Sequence, residues 1–136
     1  MPRFMLDTDT VSHALRGYGH AGIRIRELRP SDVCMSALTL AELRYGADKK
    51  GSRKLHRLID AVVEAIEPLP FDSAASDAYG SLAAALESRG EPIGVFDSLI
   101  AAQAVSLGMT LVTNNVKHFG RVAGLRVENW TSADPR

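Results

Sequence analysis

Three apolar runs constrain this chain more than any other feature. RFML (3–6), VCM (33–35) and MTLVT (109–113) are each only three to five residues long. Continuous apolar runs of that length are too short for helices and suit strands buried on both faces. The first two lead directly into helical patterns with capping residues at the seam. Thr8 or Asp9 can cap DTVSHALRG, which stops at Gly17, and Ser36 can cap ALTLAELRYGADKK. Between them a short helix is expected over 20–29, ending at Pro30. RKLHRLIDAVVEAI then places Leu55, Leu58, Ile59, Val62, Val63 and Ile66 at helical spacing. EPLPF is a short extended piece, and Asp72 caps SAASDAYGSLAAALESR, closed by Gly90. After the EPIG turn come a helix (VFDSLIAAQAVSLG), the MTLVT strand, a helical turn in NNVKHFG and a final edge strand in LRVENW. Short apolar strands alternating with helices predict an α/β fold, a sandwich around a mostly parallel central sheet.

The 136 residues suit one domain over 1–136, large enough for a real core. Equal numbers of acidic and basic residues make the whole-chain charge uninformative, but the distribution is uneven. Residues 16–57 carry ten Arg and Lys against four acids, net +6, whereas 58–97 carry one Arg against eight acids, net −7. The first region can attract a polyanion; taken singly, each of its cations also reads as part of a solvated helical face. Cys34 stands alone, which excludes an internal disulfide, fits a reducing cytoplasm and reads as a small buried apolar side chain. MPRFMLD does not resemble a secretory leader, and no apolar run approaches the ~18 residues of a membrane span. A cytoplasmic protein without a membrane partner is therefore expected.

Acids at special places narrow the function. In open parallel sheets the site lies at the carboxyl ends of the strands. Asp7 ends the first strand, and Asn114–Asn115 follow the MTLVT strand, so two polar strand ends can meet. Asp7 also reads as a helix-capping acid or one favoured by a helix N-terminus. Glu42 has Leu38 and Tyr45 as its i−4 and i+3 neighbours, an apolar face, unless its head reaches water or an Arg. Asp97 follows PIGVF and begins the apolar helix, where a capping role is the ordinary reading. Asp9, Asp72 and Asp77 have easy capping or solvent roles. Were Asp7, Glu42 and Asp97 to converge, their repulsion would call for a cation, and oxygen-only ligands select Mg²⁺ or Mn²⁺ over zinc. The four histidines show no paired metal-ligand spacing.

The segments FMLDTDTVSHALRG, SALTLAELRYGA and EPIGVFDSLIAAQAVSLGMTLVTNNVKHFGRVAGLRVENW resemble the PIN-domain ribonucleases, specifically the VapC toxins of VapBC toxin–antitoxin modules. The likeness runs from about residue 3 to Trp130, with three blocks in the family's order and spacing. It implies a single PIN-like domain with an α/β/α sandwich. By position it places the first strand-end acid on Asp7, the helix-borne glutamate on Glu42 and the acid after PIG on Asp97. In that family these acids bind Mg²⁺ or Mn²⁺ and activate water to hydrolyse an RNA phosphodiester, leaving 5′-phosphate and 3′-hydroxyl ends. Thr113 and Asn115 fall in the motif that closes the site. Many PIN domains carry a fourth acid where this chain has the neutral Asn115.

The resemblance further implies a cognate VapB-type antitoxin whose tail blocks the acidic pocket, and contact with operator DNA only through that antitoxin. It also implies an RNA substrate, tRNA among the candidates, and a homodimer. Two rivals remain at this level. A non-catalytic PIN-like domain could bind RNA or protein. An aspartyl phosphotransferase could use LDTDT as a nucleophile loop, although Val11 stands where that chemistry wants a threonine.

Overall fold

Parallel hydrogen bonding joins the short apolar runs into one sheet. In the computed structural model, which describes residues 2–17 and 19–131, β1 (Phe4–Leu6) lies between β2 (Val33–Ser36) and β4 (Thr110–Val112). Outside these, β3 (Glu67–Leu69) pairs with β2 and β5 (Arg126–Glu128) with β4, giving the order β3-β2-β1-β4-β5, parallel throughout. The expected mostly parallel sheet is thus wholly parallel. EPLPF supplies one edge strand, and LRVENW supplies the other from its three central residues.

Alternation along each strand sorts the core into two layers. Met5, Cys34 and Leu111 point to one face, where they pack with Ile100, Ala104 and Phe119. Leu6, Val33, Met35 and Val112 point to the other, with Val11, Leu43, Ile59 and Trp130. The first layer is covered by α5 (Ser73–Ser88) and α6 (Val95–Leu107). The second is covered by α1 (Thr8–Arg16), α2 (Ala21–Glu27), α3 (Ala37–Lys50) and α4 (Arg53–Ala65). Burial on both faces explains why the strands are continuously apolar. Cys34 is fully buried, and that burial pushes its thiol up to about 12, so it serves as an apolar core side chain.

Helix boundaries follow local chemistry. Ser36, Ser52 and Asp72 cap α3, α4 and α5 through their side-chain oxygens, while Gly17, Gly51 and Gly108 end α1, α3 and α6 in the left-handed region. Of the candidate caps of α1 it is Asp7 that serves, because its extended backbone lets its carboxylate reach the Thr10 N–H. One boundary differs from the sequence reading. The second helix ends at Glu27, and Pro30 opens a 3₁₀ turn (Pro30–Asp32) in which Asp32 meets Arg3 and Arg29.

The strand order also locates the site. From β1 the chain moves outward to β2 and β3, then returns to β4 and continues to β5 on the other side. Helices after β1 and those before β4 cover opposite faces, so a crevice opens at the carboxyl ends of β1 and β4. Leu6 pairs with Val112, which puts Asp7 and Thr113 side by side at that crevice.

Candidate active site

Asp7 caps α1 and also stands at the crevice where β1 and β4 end. Its backbone N–H continues the ladder to the Val112 carbonyl (2.9 Å), and its Oδ1 accepts from the Thr10 N–H (2.8 Å). The Thr10 hydroxyl donates back to the Val112 carbonyl (3.1 Å), locking the α1 entry against β4. Asp7 is only 6% exposed. Burial pushes its carboxyl up to about 6, against opposing hydrogen bonds from Thr113 and Thr10, and the Asp9 charge adds to the rise.

Thr113 is fully buried beside it and carries the strand-end motif inward. The Asn115 N–H donates to the Thr113 hydroxyl oxygen (3.0 Å), leaving the hydroxyl proton for Asp7. Asn115 is exposed and precedes α7 (Val116–Phe119), so its backbone supports Thr113 while its side chain stands at the rim.

Glu42 comes from the second turn of α3. Its neighbour Tyr45 is 67% exposed, so the face read as apolar is only half so: Leu38 packs into the core and Tyr45 stands in water. The Glu42 carboxylate accepts from the Thr8 hydroxyl. Thr8 has one proton and the carboxylate can only accept, so the buried Thr39, whose hydroxyl lies 3.3 Å from that of Thr8, donates to Thr8 in turn. Partial burial raises the Glu42 pKa, and the charges of Asp97 and Asp9 add to the rise.

Asp97 lies in the first turn of α6, whose cap position is Gly94 rather than Asp97 itself. Its Oδ2 stands 3.2 Å from Nε2 of His118, and the same nitrogen lies 2.8 Å from the Ile93 carbonyl. A carbonyl only accepts, which puts the ring proton on Nε2. Partial burial raises the Asp97 pKa and His118 opposes the rise.

The fold therefore gathers Asp7, Thr113, Glu42 and Asp97 at one end of the sheet, with Asn115 at the rim. Reading residue by residue passed over Thr8, Asp9 and His118. Thr8 and Asp9 looked like spare caps, yet Asp9 raises all three site acids. His118 had no histidine at ligand spacing to draw notice; its partner is a carboxylate on another element. Its only sequence signal is its place one turn beyond Asn115.

The donor set suits a hard divalent cation: carboxylates and hydroxyls, each acid raised by burial and each lowered again by hydrogen bonds from its neighbours. Among the described residues no three His, Cys, Asp or Glu side chains form a ready cage.

Comparison with known proteins decides the family. The PIN domain family matches residues 4–125. The chain belongs to the PIN-domain family. Within that family it is a VapC homologue. It is 39% identical over 133 residues to the tRNA(fMet)-specific endonuclease VapC of Shigella flexneri, covering 96% of this chain and all (100%) of that one. The VapBC structure from Salmonella typhimurium bound to DNA superposes at TM-score 0.85 with 37% identity, over 96% of this chain and 99% of that one. VapBC2 from Rickettsia felis, bound to a promoter DNA fragment, superposes at TM-score 0.84 with 34% identity, over 93% and 98%. The PIN fold expected from the sequence is thus the fold observed. PIN nucleases work with a divalent metal, and the oxygen donors of this PIN domain accord with that. Among its described residues no helix is long and apolar enough to cross a membrane.

Proposed function

We propose that this PIN domain is a toxin of a toxin–antitoxin pair, a Mg²⁺- or Mn²⁺-dependent endoribonuclease acting in the cytoplasm on tRNA. The observation that carries the reading is the set of three burial-raised carboxylates, Asp7, Glu42 and Asp97, on three elements at the sheet's switch point. Asp7 and Asp97 are the principal metal ligands, with Glu42 completing the set. A bound ion would supply Lewis acidity toward the phosphodiester and would lower the pKa of a water. The protein holds the ligands still: Thr113 orients Asp7, Thr8 holds Glu42, and His118 fixes one oxygen of Asp97 so that the other can face the crevice. Water oxygen joins phosphorus, the bond from phosphorus to O3′ breaks, and O3′ takes a proton, leaving 5′-phosphate and 3′-hydroxyl ends. Asn115 adds a neutral oxygen at the rim without adding charge.

Initiator tRNA is the preferred substrate in this reading, supported by the name of the Shigella relative. Purified protein should cut initiator tRNA with Mg²⁺ or Mn²⁺, spare elongator tRNAs and lose activity in EDTA. Equal cutting of every tRNA would overturn the specificity, and no cutting with either ion would favour a non-catalytic binding domain. Val11, where the phosphotransferase alternative wants a threonine, is a buried core residue.

The partner follows from the surface. A groove of ≈ 290 Å³ between α1, α2 and α4 is lined by Val11, Leu15, Ile25, Leu58 and Val62. A second cleft also touches Leu15 and runs to Thr8 and Glu42. An amphipathic antitoxin tail can lie in the first and send a basic side chain along the second to the carboxylates. The VapBC complexes among the structural relatives support this, as they support operator binding through the antitoxin. Co-purification should give a complex without ribonuclease activity, and sedimentation should show the toxin as a homodimer.

A further inference from the structure

We infer that Tyr45 and Lys49 form a stacking and phosphate-binding step on α3 that holds the unpaired nucleotide next to the scissile phosphate. The inference rests on the ribonuclease reading and adds residues that make substrate contact without metal. Tyr45 is 67% exposed, a large ring left in water. It follows Glu42 by three residues on α3, and Lys49 follows by seven, so all three share one helix face. The Lys49 ammonium stands 5.9 Å from the Tyr45 ring centroid. A site carboxylate, an exposed aromatic face and a cation thus lie in order along about 10 Å of helix. The face is anchored at its inner end by Leu38, which packs into the core.

That order suits a single strand. Proteins that hold unpaired nucleic acid combine a ring for the base with a cation for the backbone, and the ring tolerates any base. Beyond Lys49 the cationic surface continues through Lys50, Arg53 and Lys54, all exposed at the turn from α3 to α4. The strand leaving the acids therefore meets positive charge on this side. A duplex cannot use the ring, because its bases are already stacked. Tyr45 thereby selects a loop over a stem.

The test is fluorescence anisotropy of a labelled single-stranded RNA with the full chain in EDTA, so that neither metal nor cleavage enters. Tyr45→Ala should weaken binding roughly five- to 150-fold, while Tyr45→Phe binds like the parent. Duplex RNA of the same sequence should bind Tyr45→Ala and parent alike. Lys49→Ala should weaken single-strand binding and reduce the slope of log affinity against log salt by about 0.7. Unchanged single-strand affinity in Tyr45→Ala would overturn the inference, as would equal losses in Tyr45→Phe and Tyr45→Ala. A smaller sedimenting species for Tyr45→Ala would overturn it too, marking the face as a contact between copies. Cleavage with Mg²⁺ or Mn²⁺ is scored separately, so a protein that binds as expected and never cuts counts against the nuclease reading alone.

Discussion

The Thr8 hydroxyl donates to the Glu42 carboxylate, tying the first residue of α1 to the second turn of α3. Since Asp7 immediately precedes Thr8, this bond couples two of the three candidate acids through one backbone step. Thr8→Val removes the donor and leaves a half-buried carboxylate short of a partner. A hydrogen bond to a charged group contributes about 1.5–3 kcal/mol, and partial exposure brings the expected loss toward about 1 kcal/mol. Thermal unfolding should register that loss at neutral pH, and NMR titration should show the Glu42 pKa rising further. An unchanged Glu42 titration would show that the bond does not form in solution.

Asp7 makes the metal-free protein's stability depend on pH. Its folded pKa of about 6 exceeds the unfolded value near 3.9, so the folded state holds the proton more tightly. Its contribution is therefore fully present below about pH 4 and is lost as pH rises through about 6. The swing is on the order of 3 kcal/mol. Asp7→Asn keeps the cap, since Asn serves as well as Asp there, and removes the swing. Denaturant unfolding in EDTA at pH 4 and pH 7.5 should show the variant more stable than the parent at the higher pH only.

The acids themselves should be needed for chemistry and dispensable for folding. Asp7→Asn, Glu42→Gln and Asp97→Asn should each reduce metal-supported RNA cleavage by at least about 100-fold. Circular dichroism should remain that of the parent. Full cleavage by purified Asp7→Asn or Asp97→Asn would remove these residues from the site.

His118 should act through Asp97. Loss of such an outer partner typically lowers metal affinity or activity by about 10- to 100-fold. His118→Ala should weaken Mn²⁺ binding within that range, read by calorimetry without RNA. His118→Gln, which retains an N–H donor, should recover part of the loss. Equal Mn²⁺ affinity in parent and His118→Ala would reduce the contact to packing against Phe119.

Asn115 sets the charge of the rim. Three carboxylates leave net −1 around one divalent ion and +1 around two, so a second ion is expected only with RNA phosphate. Asn115→Asp should raise Mn²⁺ affinity in the absence of RNA, because it adds an ionic ligand. Calorimetric titration of both proteins checks this; two equally tight sites in the parent would contradict it.

By itself the sequence determined the parts and their order. Continuous apolar runs meant strands buried on two faces, and Ser36, Asp72, Gly17 and Gly108 marked helix ends, because those signals act within a few residues of where they stand. Asp7 and Glu42 were legible as candidates because an acid at a strand end or on a partly apolar helix face conflicts with its own surroundings, whereas Asp97, Thr113 and Asn115 were marked by the resemblance to the PIN-domain ribonucleases. Tertiary structure alone decided what each acid meets. The pairing of Leu6 with Val112 put Asp7 beside Thr113, and the packing of α1 on α3 delivered Thr8 to Glu42. The return of α7 toward the start of α6 brought His118 to Asp97, twenty-one residues away in the chain. Such contacts leave no periodic trace: nothing beside Thr8, Thr113 or His118 in the chain points to its acid, and only the closed fold brings each pair within hydrogen-bonding distance.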